Sequence, residues 1–266
     1  MSYKTDMHLH TYYSDGILSP AEIVKRAKKL GYDIVAITDH DGTGGVGEAL
    51  AAAEAIGDIE VIPGIELSAD ERFLDATVNL HILGYRINID NAPLSDELAA
   101  IRARRDVRNG KLTEALRLMG YDIDLAELNA NKKGYIGKPD IARYMAEKGY
   151  IKSAKEAFQP GRFLESPEIK AIRKEKLGAA RAIELITGAG GIAVLAHPAK
   201  IKKIGERGGT EFYGNLDVLI GRLKGYGLKG VECYHTEHSE DEAMRLVELA
   251  EKYHLHITEG SDFHGE

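Results

Sequence analysis

Seven short apolar runs, at 6–9, 34–38, 59–63, 78–85, 192–196, 230–233 and 256–258, alternate through most of the chain with longer stretches of helical periodicity. That alternation is the strongest constraint on the fold, because a chain that returns to a strand after each helix builds a mostly parallel sheet or a barrel. The first connection carries clear helix signals. Ser19 is an N-cap candidate, Pro20 fits the first helical position, Glu22 places an acid in the first turn, and Leu30-Gly31 is a C-terminal stop. The same logic places helices near 45–55, 170–187, 216–226 and 240–253, each followed by a strand.

The pattern breaks between 93 and 167. A long charged helix is expected over 96–119, followed by helix-rich, strand-poor sequence containing Lys132, Lys133, Lys138 and Arg143. Because this stretch falls between the fourth and fifth strands, 93–167 reads as a helical subdomain inserted as a cap over one face of a core built from 1–92 and 168–266.

Composition narrows the function. The 35 Lys and Arg against 42 Asp and Glu leave a formal net charge of −7 at pH 7, which argues against the broad basic face that holds duplex DNA by phosphate neutralisation. The single cysteine, Cys233, cannot form an internal disulfide, and the opening residues lack the pattern of a secretory leader. No stretch approaches membrane-spanning length. A cytoplasmic enzyme with no membrane and no obligate protein partner is the expectation.

Chemistry gathers at the strand ends. His8 and His10 occupy positions i and i+2 of the first strand, so both imidazoles project to the same side. Such a pair alone is as often structural as functional. However, His40 ends the second strand, Glu66 the third and His197 the fifth, His81 lies on the fourth, and Asp262 and His264 follow the seventh. Barrels of alternating strands and helices place active sites at the carboxyl ends of their strands, and core packing gives no reason for histidines and carboxylates to collect there. Nitrogen and oxygen donors without thiolates suit Mn, Fe, Zn or Co. With Asp15, the candidates are His8, His10, Asp15, His40, Glu66, His81, His197, Asp262 and His264. They overfill one coordination sphere but suit two or three ions joined by a bridging carboxylate, an arrangement fitted to phosphoryl transfer.

In order along the chain, HxHTxxSDG at 8–16, TDHD at 38–41, GIE at 64–66, AHP at 196–198 and GSDFHG at 260–265 resemble the PHP (polymerase and histidinol phosphatase) superfamily over nearly the whole length. The short first motif, the insertion and the strand at 230–235 are similar to stand-alone bacterial phosphoesterases active on nucleotide bisphosphates and the 5′ ends of short RNAs. The resemblance implies an α/β fold, a distorted seven-stranded (β/α) barrel, with three divalent ions (Mn, Fe or Zn) and attack on a phosphate ester by a hydroxide bridging two of them. It implies His8, His10, Glu66 and Asp262 for one ion, Asp15, His40 and His264 for a second, and Glu66 as bridge with His81 and His197 for a third. Asp15 and Glu66 thereby belong to the catalytic apparatus. Several relatives carry histidine at the position of Asp15, and a carboxylate there hardens the second site towards Mn or Fe. Asp39 and Asp41 flank a ligand and are expected to orient imidazoles.

Outside the cluster, His235 faces the same mouth and is expected to bind phosphate or protonate the leaving group, while a solvated loop is the simpler reading of His238. His254 and His256 fall on the opposite face of the barrel, and Cys233 reads as a small buried apolar residue. Lys138 and Arg143 are the expected substrate contacts in the cap. Relatives of the bisphosphatase type often carry Arg and His where this chain has Lys138 and Asp140, and Lys and Arg are not equivalent at phosphate sites. Arg102, Arg105 and Arg108 read as a solvated helix face that can line the underside of the cap. A small phosphorylated substrate follows, most simply a 3′,5′-bisphosphate or the 5′ end of a short oligonucleotide. Histidinol phosphate would require a cap carboxylate such as Asp140. A silent PHP binding module should have lost ligands, and an amidohydrolase usually shows a bridging lysine or another motif order.

Overall fold

The computed structural model describes residues 3–130, 132–172 and 175–265. The chain opens as strand–helix repeats, β1 (Thr5–Leu9), α1 (Pro20–Lys29), β2 (Ile34–Ile37), α2 (Val46–Ile56) and β3 (Glu60–Phe73), before reversing into β4 (Ala76–Tyr85). Ser19 caps α1 as expected: its hydroxyl accepts from the Glu22 N–H while the Glu22 carboxylate accepts from the Ser19 N–H at 2.8 Å. The insertion brings α3 (Ala92–Leu118), α4 (Leu125–Ala130), α5 (Lys138–Glu147) and α6 (Pro167–Ala171). Strand–helix alternation then resumes with β5 (Leu177–Gly178), α7 (Ala179–Gly188), β6 (Ile192–Leu195), α8 (Thr210–Gly225), β7 (Gly230–His235), α9 (Glu240–Lys252) and β8 (His256–Gly260).

The strands run β1-β2-β3-β4-β6-β7-β8, with β5 attached to β3 off this path. The two ends of the sheet meet where Leu9 bridges Phe263 and the His10 N–H donates to the Phe263 carbonyl at 3.0 Å, so seven strands curl into a nearly closed barrel. Two features depart from expectation. β3 runs far beyond 59–63 and forms a long antiparallel hairpin with β4, which is also antiparallel to β6. The helix expected over 170–187 is interrupted, because Leu177 and Gly178 pair with Ala69 and Asp70 of β3 and divide it into α6 and α7.

Leu83, Tyr85, Val194 and Ala196 fill the barrel interior, while α1, α2, α7 and α8 cover the outside with fully buried residues such as Val24, Ala49, Ile183 and Phe212. Each large apolar side chain removed from water in this way is worth about 1.5–3 kcal/mol. The insertion has an apolar cluster of its own, including Leu112, Leu116, Ile141, Met145 and Leu164. α3 belongs to both: Leu94 and Ile101 pack into the barrel cluster and Leu112 and Leu116 into that of the insertion. It thus acts as a beam between the two. At the junction Gly134 lies against the Tyr13 backbone so closely that a Cβ there would overlap it.

At the start of α9, Glu242 accepts from Arg207 Nε at 2.6 Å and Nη2 at 2.9 Å and from the Ser239 N–H at 2.8 Å. The Arg207 contact leads in pulling its carboxyl down from 4.5 to about 2, against partial burial. Because the folded value lies below the unfolded one, the contribution is complete above about pH 4.5 and fades as pH falls towards about 2. Glu242→Gln is expected to lose about 1 kcal/mol at pH 7, a figure reduced for the exposed Arg207, and to flatten the acid limb of a stability–pH curve. A variant whose acid limb matches the parent contradicts this assignment.

Candidate metal centre

Strand geometry accounts for most of the site. Leu9 packs outward among Ile23 and Val24, and its neighbours His8 and His10 therefore turn inward, fully buried. His40 follows β2 and bridges to Glu66 in β3. In the antiparallel hairpin Ser68 opposes His81, so Glu66, Ser68 and His81 share one face. The expectation that Glu66 ends the third strand is corrected here, since β3 continues to Phe73 and Glu66 lies within it, while His81 lies within β4 as expected. His197 follows β6, and Asp262 and His264 follow β8; His197 and Asp262 both adopt left-handed backbone, with φ of 28° and 54°.

All nine candidates converge. Glu66, with no exposed surface, lies between five imidazoles: Oε2 is 2.8 Å from His40 Nδ1 and 3.4 Å from both His8 Nε2 and His10 Nε2, while Oε1 is 2.9 Å from His81 Nδ1 and 3.1 Å from His197 Nε2. Asp262 Oδ1 is 3.2 Å from His10 Nε2 and 3.5 Å from His8 Nε2. Asp15 sits 3.2 Å from His264 Nε2 and 3.7 Å from His40 Nε2. Three sets have donor atoms within 4.8 Å of one another, namely His10, Asp15, His40 and His264, then His8, His10, Glu66 and Asp262, then His40, Glu66 and His81. These nearly reproduce the expected division, except that His10 extends into the second set and His40 stands where His197 was expected in the third.

The electrostatics are those of a crowded site. Burial opposes ionisation of Glu66, but His40, His81 and His8 outweigh it and hold the carboxyl well below the usual range. Burial also opposes the charged form of His40, and the Glu66 and Asp15 carboxylates overcome it, raising the ring to about 9. For His81 burial wins over Glu66 and lowers the ring to about 4. His8 Nε2, His10 Nε2, His40 Nδ1, Asp15 Oδ1 and Glu66 Oε2 are buried without a well-directed hydrogen bond among the described residues. Buried polar atoms normally have partners, and donors that converge without them fit divalent cations.

Surrounding groups hold this arrangement. Asp39 accepts from the Thr11 N–H at 2.8 Å, Thr11 Oγ1 at 2.7 Å and Ser14 Oγ at 2.5 Å, and Ser14 Oγ lies 3.5 Å from His10 Nδ1. Asp39 therefore reaches an imidazole through a hydroxyl and fixes the loop that carries Asp15. Asp41 accepts from the Ser68 N–H at 2.9 Å and from Arg105 at 2.5 Å, which ties α3 to the barrel. His235 is buried, with Nδ1 accepting from the Glu237 N–H at 3.0 Å and Nε2 3.4 Å from Asp262. His238 is occupied with the Cys233 carbonyl at 3.0 Å, and His254 and His256 are exposed. Cys233 is fully buried, which pushes its thiol up to about 12.

The cap cations are arranged differently from expectation. Lys138 donates to the Leu164 carbonyl at 3.1 Å, and Arg143 shares Asp140 Oδ1 with Lys132, each at 2.7 Å. Of the three arginines read as a solvated face, Arg102 is exposed as expected, whereas Arg105 and Arg108 are buried along α3. Arg105 lies over the Tyr135 ring at 3.5 Å, and Arg108 has neither Nε nor Nη1 hydrogen-bonded among the described residues. Burial, reinforced by Arg105, lowers Arg108 to about 10, so it stays charged at neutral pH. Two residues went unrecognised in the sequence. Lys200 Nζ lies 3.3 Å from Asp262, three positions after His197, and Glu232 is wholly buried with its carboxylate 2.9 Å from His8 Nδ1. The available signal for Glu232 was an acid inside an otherwise apolar strand.

A model of the PHP domain matches residues 6–201. The chain belongs to the PHP domain family. It is 30% identical over 264 residues to a 5′-3′ exoribonuclease of Haemophilus influenzae, covering 99% of this chain and 91% of that one. It is also 30% identical over 268 residues to a 3′,5′-nucleoside bisphosphate phosphatase of Chromobacterium violaceum, covering 97% and 86%. Among solved structures, a Bifidobacterium adolescentis chain assigned by inference to the metal-dependent phosphoesterases superposes with a TM-score of 0.83 at 29% identity, covering 100% of this chain and 89% of that one. A Chromobacterium violaceum chain described as an amidohydrolase, solved with sulfate and no metal, gives 0.83 at 28%, covering 98% and 88%.

In this PHP domain the Asp39 hub generates a direct test. Asp39→Ala leaves three buried donors without their acceptor and is expected to destabilise the protein by about 2–4 kcal/mol, read as a lowered melting temperature. An unchanged melting temperature contradicts the hub.

Proposed function

We propose that this metal-dependent phosphoesterase hydrolyses nucleotide 3′,5′-bisphosphates or the 5′ ends of short oligonucleotides, using three divalent ions (Mn, Fe or Zn) in the barrel and a cap over 93–167 that reads the rest of the substrate. The observation that carries the reading is the nearness of two anion-seeking features. The histidine–carboxylate cluster fills the barrel mouth, and Arg105, paired with His40's neighbour Asp41, stands one helical turn from Arg108, whose buried Nε and Nη1 have no hydrogen bond among the described residues. The bisphosphate phosphatase and exoribonuclease relatives support the substrate class, and the sulfate in the Chromobacterium violaceum chain supports an anion site that does not need metal.

His8, His10, Glu66 and Asp262 would hold one ion, Asp15, His40 and His264 a second, and Glu66 with His81 and His197 a third. When bound, such ions lower the pKa of water and neutralise charge on phosphoryl oxygens. The chain's own groups supply the rest. Glu66, whose two oxygens face different histidines, fixes the spacing of the cluster. The Glu237 N–H on Nδ1 of His235 leaves the proton of the neutral ring on Nε2, which faces Asp262 and is placed to donate to a phosphoryl or leaving oxygen. A second phosphate would be met by Arg108 and Lys138. Arg143, its charge already matched by Asp140, has the lesser part.

Histidinol phosphate is the weaker substrate on this geometry. Its amine would need a free carboxylate, and Asp140 already accepts from Lys132, Arg143 and the Gly137 N–H. The convergence of all nine donors also disfavours a silent binding module.

Two cation contacts at about 1.5–3 kcal/mol each predict a kcat/KM for adenosine 3′,5′-bisphosphate about 10²- to 10⁴-fold above that for adenosine monophosphate. Arg108→Ala and Lys138→Ala should each remove a factor of about 10 or more from this preference while leaving monophosphate turnover nearly unchanged. Faster turnover of histidinol phosphate, or an intact preference in both variants, refutes the substrate assignment.

A further inference from the structure

We infer that Glu232 is a positioning residue that locks His8 and His197 together from beneath the cluster, and so sets the spacing of these two ligands on either side of Glu66. This rests on the ligand assignment above. Glu232 Oε1 accepts from His8 Nδ1 at 2.9 Å, and Oε2 accepts from the His197 backbone N–H at 2.7 Å. The two oxygens of one carboxylate thus hold β1 and the end of β6 from β7, which pairs with β6 on one side and is separated from β1 by β8 on the other.

Each contact answers a specific need. With its Nδ1–H committed to Glu232, His8 must turn Nε2 to Glu66 and Asp262, at 3.4 and 3.5 Å. A metal-binding histidine is normally oriented by such an acceptor on its other nitrogen. His197 has φ 28° and ψ 59° directly before Pro198, a conformation disfavoured for a side-chain-bearing residue and persisting only where something holds it. A second feature of the chain is shaped around the pair. Gly260 in β8 passes so close that a Cβ would overlap both the His8 Cβ and Glu232 Oε1, so β8 leaves room for this contact at the cost of a side chain.

Glutamine separates positioning from space-filling. Glu232→Gln keeps the volume but has one acceptor oxygen where two donors wait, so one of His8 and His197 loses its hold. Metal-stripped protein is titrated with Mn(II), free Mn being read by electron paramagnetic resonance, for wild type, Glu232→Gln and His8→Ala. The expected result is that His8→Ala loses an ion, whereas Glu232→Gln keeps the number of sites but binds its tightest ion about 10- to 100-fold more weakly, with excess Mn restoring turnover. Wild-type Mn affinity in Glu232→Gln beside a lost ion in His8→Ala overturns the role of Glu232 alone. Full Mn binding by His8→Ala overturns the ligand assignment and the inference with it. A measurement on the unaltered chain removes dependence on the variant's folding: in zinc-loaded protein, long-range ¹⁵N–¹H correlation should show His8 protonated at Nδ1, and the opposite tautomer overturns the proposal.

Discussion

A fully buried carboxylate facing five imidazoles is the interaction on which the rest of this structure depends. Removing an ion such as Glu66 from water costs several kcal/mol unless partners surround it, and the partners here come from β1, the turn after β2, β4 and the turn after β6. Bringing those segments to one point requires the barrel to close nearly completely and β4 to run against its neighbours. Burial penalises the charged form of every ring, and His40, with Asp15 as well as Glu66 beside it, rises to about 9 while His81, with Glu66 alone, falls to about 4. Metal ions held by these residues would relieve this crowding by giving the converging lone pairs a common partner.

Around that point the protein has built successive supports. Asp39 anchors the loop before Asp15, Asp41 couples β3 to α3 through Arg105, and Glu232 props His8 and His197 from below. The insertion is not an independent neighbour, since α3 shares its apolar residues between the barrel cluster and that of the insertion. A shift of the insertion would therefore be felt at Asp41 and, one residue away, at His40.

What could be read from the sequence follows the physics of local patterns. The period of two in β1 made His8 and His10 legible as a pair, and capping residues marked α1. The direction of β4 was not legible, because its apolar run is the same read either way, and only pairing with β3 and β6 decides it. Nor was the two-residue strand at Leu177, which exists through its pairing with Ala69. Arg105 and Arg108 sit in a charged helix whose sequence resembles a solvated face, and they become buried by tertiary packing alone. Glu232 is hidden for the complementary reason: a single acid in a strand gives no sign of which donors lie opposite.

The central claim is that Glu66 is the shared member of the cluster while Asp15 serves one end of it. Elemental analysis of purified Glu66→Ala and Asp15→Ala, prepared with Mn beside wild type, tests this most directly. The account predicts about three ions in wild type, the loss of at most one in Asp15→Ala, and the loss of two or more in Glu66→Ala. A folded Glu66→Ala protein that keeps the full wild-type complement would contradict it.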